Sequence, residues 1–312
     1  MTEVVDADLL VKEGDSVILF FSMTNIVLIP SITSDGTTHN GCGFFYHRDI
    51  VGRPFGSKIE PHQGSESPRP VHALRVTPEL FTLSIPHRTQ IIYHADISMI
   101  MMGLNILPGA VVAEAGTGSA SLSFSFAHTL ASHGHLYTFE IDSARATHNR
   151  DLLRSVTRPG VVTLEERDVV TNGFPDHIQA DAVFLDLPSP WLAIGNAASI
   201  LKQNGRICTF SPSIEQVTKN VDMMKTYGFH QIKTVEVMLK PWGLDLPKEA
   251  LPGVKRKRTG GASFQLPMRG HTSYLTFAIK QLSDELEFPK PVLSLYDVTR
   301  KADAMAAKSN SN

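Results

Sequence analysis

The chain has 312 residues, 42% of them hydrophobic, and a formal net charge of -2. Its length and apolar content allow a large core, read as one main domain plus a smaller one, while the near-balanced charge excludes the broadly basic surface of a protein that grips a folded nucleic acid unaided. An apolar run of membrane-spanning length, a secretory pattern at Met1 to Leu10, a C-x-x-C pair and a His/Cys cluster at metal spacing are all missing, so the expectation is a cytosolic or nuclear protein with no membrane, no metal and no disulfide scaffold around Cys42 and Cys208.

From about Val11 to Arg75, short β-rich runs (Val17 to Phe21, Ile26 to Ile29, Gly43 to Tyr46) alternate with Gly, Pro, Ser and Thr breaks. They predict a small barrel or meander, an N-terminal β-rich domain over residues 1–76. Thr77 as N-cap and Pro78 in the first turn then start a helix that opens a larger α/β domain, residues 77–282. A second helical run covers Ile97 to Leu104.

Ala110 to Ala115 is a short apolar run ending at Gly116-Thr117-Gly118-Ser119-Ala120-Ser121, after which Leu122, Phe124, Phe126 and Leu130 recur at roughly helical spacing. A strand therefore feeds a tight turn that opens a helix. Glycines there let backbone come close to a ligand, and the amides of the helix start offer unpaired donors. Leu136 to Phe139 forms the next strand and ends at Glu140, 22 residues after Gly118, where a ribose-diol acceptor is expected. A dinucleotide fingerprint would look similar, as would a βα turn with an incidental acid. Two details argue against a nicotinamide oxidoreductase: Ser121 stands in place of the third glycine, and Glu114 precedes the first. A carboxylate at that point repels a pyrophosphate but suits a cofactor with a cationic amino-acid end, such as S-adenosylmethionine.

Val161 to Leu164 is a third β-rich run, followed by Asp168-Val169 at a strand end, placed to accept from an exocyclic adenine amine. Ala182 to Leu185 is a fourth and ends at Asp186; Pro188-Ser189-Pro190-Trp191 cannot continue it and leaves Asp186 at the rim. Helices over Trp191 to Leu201 and Ile214 to Tyr227, with strands at Gly205 to Phe210, Gln231 to Met238 and Ser273 to Ile279, complete a mainly parallel, Rossmann-like sheet. Residues 240–269, mixing Pro, Gly and charge around Lys255-Arg256-Lys257-Arg258, read as a long exposed insertion: a solvated, disordered loop is the favoured reading, and nuclear import, ahead of phosphate contact, is the functional reading of its basic run. Residues 283–312 read as a C-terminal tail.

Taken together, these segments resemble the catalytic subunit of the eukaryotic tRNA (adenine-58-N1)-methyltransferase, a class I S-adenosylmethionine-dependent family. The resemblance runs from about Val11 to Lys280 and rests on the order and spacing of Ile50 to Lys58, Thr77 to Leu80, Pro86 to Tyr93, the glycine turn, Phe184 to Trp191, Phe210 to Gln216 and Gly270 to Ala278. It implies methyl transfer to N1 of adenosine 58 in the tRNA T-loop. Donor contacts would come from Ile92, Glu114, Gly116, Thr117, Gly118, Ser119, Ala120, Ser121, Glu140, Arg145, Asp168 and Val169, with Asp186 both at the donor and facing the target adenine. The family turn usually reads G-T-G-S-G-S; Ala120 replaces its last glycine, and a methyl so near the cofactor predicts tuned affinity. The resemblance also implies a related non-catalytic tRNA-binding subunit, in a heterotetramer of two catalytic and two non-catalytic chains, which would supply the missing basic surface. Nuclear localisation is expected.

On this reading Asp186 accepts a hydrogen bond from the exocyclic amine, orients the ring and stabilises developing positive charge. His87, Arg88, Gln90 and Tyr93 would form the substrate-binding rim, Tyr93 stacking on or bonding near an extruded base and Arg88 holding a phosphate. A half-buried packing tyrosine and an ordinary surface arginine are the structural alternatives. Other functional alternatives are a methyltransferase acting on another RNA or a small molecule, and a non-catalytic paralogue, which would tend to lose the glycine turn and the fourth-strand acid that this chain keeps.

Overall fold

Alternating apolar residues build the first layer. In the computed structural model, which describes residues 9–40, 42–62, 68–86, 90–239, 242–244, 262–264 and 273–281, strands β1 (Val17–Ser22), β2 (Asn25–Ile29), β3 (Thr37–Asn40), β4 (Gly43–Tyr46), β5 (Lys58–Ile59) and β6 (Val71–Arg75) come first. They form an antiparallel four-stranded sheet of order β2-β1-β6-β5 and a β3-β4 hairpin. Val17 and Leu19 of β1 point to the same face as Val71 and Ala73 of β6, and there they bury Phe45 and Ile59, as a period of two requires.

Helix α1 (Pro78–Ser84) starts where Thr77 Oγ1 accepts from Leu80 N at 3.4 Å, and α2 (His94–Gly103) follows. The rest of the chain alternates strand and helix: β7 (Val111–Ala115), α3 (Ser121–Leu130), β8 (His135–Glu140), α4 (Ser143–Val156), β9 (Val162–Glu166), α5 (Val169–Asn172), β10 (Ala180–Leu185), α6 (Ile194–Ile200), β11 (Leu201–Ser211), α7 (Ile214–Thr226), β12 (Phe229–Glu236), β13 (Trp242–Leu244), β14 (Ala262–Phe264) and β15 (Tyr274–Lys280). Seven of these strands form one sheet of order β12-β15-β11-β10-β7-β8-β9. Strands β11, β10, β7, β8 and β9 run parallel, and β15 is antiparallel to both β11 and β12. Inserting the last strand antiparallel between the fifth and sixth separates this sheet from the dinucleotide-binding order, in which the sixth strand follows the fifth directly.

Helix α3 is buried on two opposite sides because it lies between two layers, with His128 left exposed. Leu122, Phe126 and Leu130 pack on Val112, Leu136 and Phe184 of the sheet, while Phe124 packs outward on Phe81, Ala146 and Leu153. The N-terminal sheet meets the larger domain at this outer layer, where Leu28 and Val76 join the same cluster and Ser16 Oγ donates to Ser155 O at 2.6 Å.

Two expectations need correction. The helix predicted over Trp191 to Leu201 is a short 3-10 turn at Pro190–Leu192 followed by α6, because the chain closes its first turn at Pro190 before α-helical bonding sets in; Leu201 already belongs to β11. The 240–269 stretch is not loop throughout: β13 pairs antiparallel with β14 inside it, closing the excursion with a ribbon. Lys255 to Arg258 and the 283–312 tail lie outside the described residues.

Candidate active site

The chain leaves β7 toward β8 and β9, then returns to β10 on the other side, so the crevice between β7 and β10 at their carboxyl ends is the switch point where open α/β sheets bind ligands. The glycine turn sits in that crevice. Gly116 has φ +94, and a Cβ on it would lie 2.0 Å from the Asp186 carbonyl oxygen, so only glycine fits. Gly116 N and Thr117 N donate to Phe139 O at 2.9 and 3.3 Å, and Asp186 N donates to Ala115 O at 2.9 Å. Gly118 N donates to Glu140 Oε2 at 3.1 Å, and Asn149 Nδ2 on α4 donates to Gly118 O at 2.8 Å. The turn is thereby fixed from three directions.

Acidic side chains end four neighbouring strands or their loops. Glu140 is buried, and its Oε1 accepts from Arg145 at 2.8 Å and Asp142 N at 3.0 Å. Each carboxylate oxygen can accept again, so a diol remains within its capacity. Asp168 caps α5, accepting from Val170 N at 2.9 Å, Thr171 N at 3.3 Å and Thr171 Oγ1 at 2.7 Å. The Thr171 hydroxyl, with those amides, holds its carboxyl below the usual range. Asp186 behaves oppositely: enclosure by protein, then the Glu140 charge, pushes it up to about 7.

Glu114 corrects the electrostatic reading of the turn. It is fully enclosed beneath it, where Oε2 accepts from Ser123 Oγ at 2.6 Å and Thr138 Oγ1 at 2.7 Å. Burial pushes its carboxyl up to about 8 despite those two donors, with Asp186 and Glu140 adding to the rise. Burial thereby favours the protonated form and weakens the negative charge read from the sequence. Strand order, rather than that charge, separates the fold from a dinucleotide-binding one.

A cleft of about 470 Å³ opens beside the turn, with Glu140, Asp168 and Asp186 as its carboxyl groups and Ile141, Val169, Leu187 and Leu192 among its apolar walls. That volume lies within the range of small-molecule sites. Ile141 is 65% exposed although apolar, an arrangement suited to covering one face of a flat ring. A small recess of about 20 Å³ continues on the other side of the turn past Ile92, Glu114, Thr117, Ser119 and Ser121. Gln90, Gly116, Gly118 and Asp186 border both spaces.

Most residues singled out from the sequence thus converge: Ile92, Glu114, Gly116, Thr117, Gly118, Ser119 and Ser121 around the recess, and Glu140, Arg145, Asp168, Val169 and Asp186 around the cleft. Ser121, where a third glycine would stand, donates to Ile92 O at 3.2 Å and shares a 2.8 Å bond with Thr82, tying the approach to α2 onto α3. Ala120 departs from the expectation. Its φ is +65 and its methyl is buried with Phe81, Ile85 and Phe124, so it borders neither space, and the glycine it replaces answers to backbone conformation. Tyr93 is the half-buried N-cap residue of α2 and packs against that same cluster, also away from both linings. His87 and Arg88 lie outside the described residues. Asn149, Ile141, Leu187 and Leu192 escaped the sequence reading. The one available signal was an apolar Ile141 wedged between the strand-end Glu140 and the N-cap Asp142.

Comparison with known proteins agrees with this geometry. Residues 70–257 match the family described as the tRNA methyltransferase complex GCD14 subunit. A protein of Cryptococcus neoformans named tRNA (adenine(58)-N(1))-methyltransferase catalytic subunit TRM61 is 41% identical over 241 residues, 76% of this chain and 54% of that one. The chain thus spans about half the length of this fungal relative. The Dictyostelium discoideum protein named as the same catalytic subunit is 32% identical over 305 residues, 86% of this chain and 96% of its own length. Among solved structures, a SAM-dependent O-methyltransferase from Thermotoga maritima is similar at TM-score 0.73 and 25% identity, covering 91% of this chain and 99% of that one. The tRNA (m1A58) methyltransferase TrmI from Aquifex aeolicus shares the fold at TM-score 0.65 and 22% identity, covering 87% and 99%. The chain has the class I SAM-dependent methyltransferase fold and belongs to the GCD14 subunit family of the tRNA methyltransferase complex.

Proposed function

We propose that the protein is the catalytic subunit of a tRNA (adenine-58-N1)-methyltransferase. The observation that carries this reading is the placement of Asp186, with its carboxyl raised to about 7, directly across the switch-point crevice from the glycine turn and Glu140. The named relatives and the family match support the same activity.

S-adenosylmethionine, when bound, supplies an electrophilic methyl group. The residues fit such a donor: Glu140 has acceptor capacity for a ribose diol, Ile141, Val169 and Leu192 form apolar walls for a purine, and the Gly116 backbone gives close access that any Cβ would close. Asp168 lines the same cleft as an acceptor for an exocyclic amine. The amino-acid end would face the turn itself, where Gly116 and Gly118 border both the cleft and the small recess past Glu114 and Thr117. A cation arriving there favours ionisation of Glu114, so the charge appears with the ligand that needs it.

On the substrate side, Asp186 accepts a hydrogen bond from the exocyclic amine of the target adenine and holds N1 in line for the transfer. The N1–methyl bond forms as the sulfur–methyl bond breaks, and positive charge passes to the adenine ring. A carboxylate at that point stabilises the charge as it develops. Gln90 borders the cleft, and His87 and Arg88, just before it in the sequence, are the proposed further substrate contacts. The net charge of -2 favours a second, related non-catalytic subunit that carries much of the tRNA-binding surface, in a heterotetramer. Lys255 to Arg258 are the proposed basis of nuclear localisation.

The test is methyl transfer from labelled donor to unmodified tRNA, with the chain alone and with its related subunit, followed by mapping of the modified base. N1-methyladenosine at position 58 is the expected product. Donor binding without tRNA methylation by either enzyme preparation would retain the fold and remove the substrate.

A further inference from the structure

We propose a second RNA contact, a phosphate-binding cleft between α4 and β9 that is separate from the active site; it rests on RNA being the substrate. The cleft has a volume of about 400 Å³, and among the described residues its charged lining is wholly cationic: Arg150, Arg154 and Arg158. Four-residue spacing puts Arg150 and Arg154 on one side of α4 with a rise of about 6 Å between them, and Arg158 follows just beyond the helix end at Val156. The result is a row of guanidinium groups.

Each group remains available to an anion. Arg150 is oriented by Leu164 O, which accepts from both Nε and a terminal nitrogen at 3.4 Å, and this leaves the other guanidinium edge for a ligand. Arg154 has Asp151 at 4.0 Å, with both side chains 74% exposed, a contact worth little in water and easily exchanged for a phosphate. Arg158 is exposed, and beside it Gly160 has open space around its α-carbon. The carbonyl end of α4 contributes roughly half a negative charge, which three guanidinium groups outweigh.

The occupant we assign is a phosphodiester backbone. Guanidinium forks match phosphate oxygens in pairs, and a row of them matches a repeating polyanion. In a chain whose net charge is -2, such a local concentration supplies attraction that the overall charge does not. Location agrees as well: α4 starts beside Glu140, and Arg154 lies nine residues past Arg145, about 13 Å along the helix, so one folded RNA can occupy the active site and this cleft together.

The experiment uses the full-length chain co-expressed with its related subunit and a labelled, unmodified tRNA transcript, with affinity measured across a salt series. The Arg154→Ala/Arg158→Ala double variant is expected to weaken RNA binding about tenfold at low salt and to flatten the log–log salt slope by about two. KM for tRNA should rise while donor affinity stays at the wild-type value. The corresponding double Lys variant should keep most of the slope, since each lysine still neutralises a phosphate. An unchanged slope and affinity, in an enzyme whose wild type binds tRNA, would overturn the proposal. So would weakened subunit association with RNA affinity intact, which would make the cleft a protein contact. A wild type that binds RNA with the predicted slope but leaves adenosine 58 unmodified keeps this cleft and removes the proposed activity instead.

Discussion

On the β8 and β9 side of the cleft, Glu140 and Asp168 each accept three hydrogen bonds from protein, whereas on the β10 side no described group donates to the Asp186 carboxylate. Among the described residues, buried atoms without a partner occur on both sides, and Arg145 Nε beside Glu140 is one of them. Trp191 Nε1, Gln216 Oε1 and Asn220 Oδ1 are buried without a hydrogen-bond partner among the described residues, although such atoms cost about 1–3 kcal/mol apiece when left unsatisfied. Gln216 nevertheless holds Pro188 O at 3.1 Å through its Nε2 and so steadies the loop that carries Asp186 away from β10. One half of the site is therefore preorganised around a fixed shape, its carboxylates held by protein donors while keeping acceptor sites for a ligand. On the other, the Asp186 carboxylate lines the cleft without a donor among the described residues and is left for substrate. Catalytic groups that act on developing charge are most effective when nothing else neutralises them first.

The strongest way to break this comparison is to disable each half separately. Asp186→Ala should cost about 10² to 10⁴ in turnover, the range of a positioned proton or hydrogen-bond partner, while donor affinity changes little. Gly116→Ala should do the reverse and more: its φ of +94 is unfavourable to any side chain, and its Cβ would strike the Asp186 backbone at 2.0 Å, so donor affinity and melting temperature both fall. Calorimetric donor titration beside single-turnover methyl transfer separates the two. Equal loss of donor binding in both variants would mean that the halves are one unit, and an unchanged rate in Asp186→Ala would remove that carboxylate from the chemistry.

A smaller effect concerns pH. Asp186 is raised to about 7, first by enclosure and second by Glu140, so the carboxylate form gains as pH rises through about 7. Activity that depends on an accepting carboxylate should rise over that interval, by about tenfold per unit on the acid side, and level off above it. Stability runs the other way. The contribution from protonated Asp186 is complete below its ordinary value of 3.8 and is lost as pH passes about 7. Glu140→Gln removes the second cause and leaves the first, so the inflection in kcat/KM should move to lower pH without reaching the ordinary carboxylate range. A profile that is flat between pH about 5 and about 9 would show that ionisation of Asp186 does not control the rate.

Legibility in the sequence follows the physics of each half. Strand ends were readable because buried parallel strands are continuous apolar runs, and Val112 to Ala115, Leu136 to Phe139 and Ala182 to Leu185 stop at or beside an acid. Helix α4 was not readable. Its buried positions are Ala146, Asn149 and Leu153, a small residue and an amide whose work, holding Gly118 O, exists only in three dimensions. The β3-β4 hairpin was half seen, since Thr37 to Asn40 carries no apolar alternation. Leu187 and Leu192 are single apolar residues in a proline-broken loop, and only the return of that loop over the cleft makes them walls. Charge at Glu114 was only partly legible, because a sequence displays a carboxylate without its burial. The same limitation appears at the one turn position that departs from the related pattern.

That position gives the finest test. A methyl at residue 120 was expected to press on the donor and tune its affinity; instead it faces Phe81 and Phe124 at φ +65. Replacing it with glycine involves opposing contributions. Relief of a left-handed alanine is worth about 1–2 kcal/mol, while the lost buried methyl costs about 0.8 kcal/mol and the looser unfolded chain about 0.4–1 kcal/mol. They nearly cancel. Ala120→Gly should therefore shift stability by less than about 1 kcal/mol and leave donor affinity at the wild-type value, as read by thermal unfolding and donor titration on the same preparation. Tighter donor binding at unchanged stability would mean that the methyl does reach the ligand, placing residue 120 on the cofactor face of the turn rather than in the core that supports it.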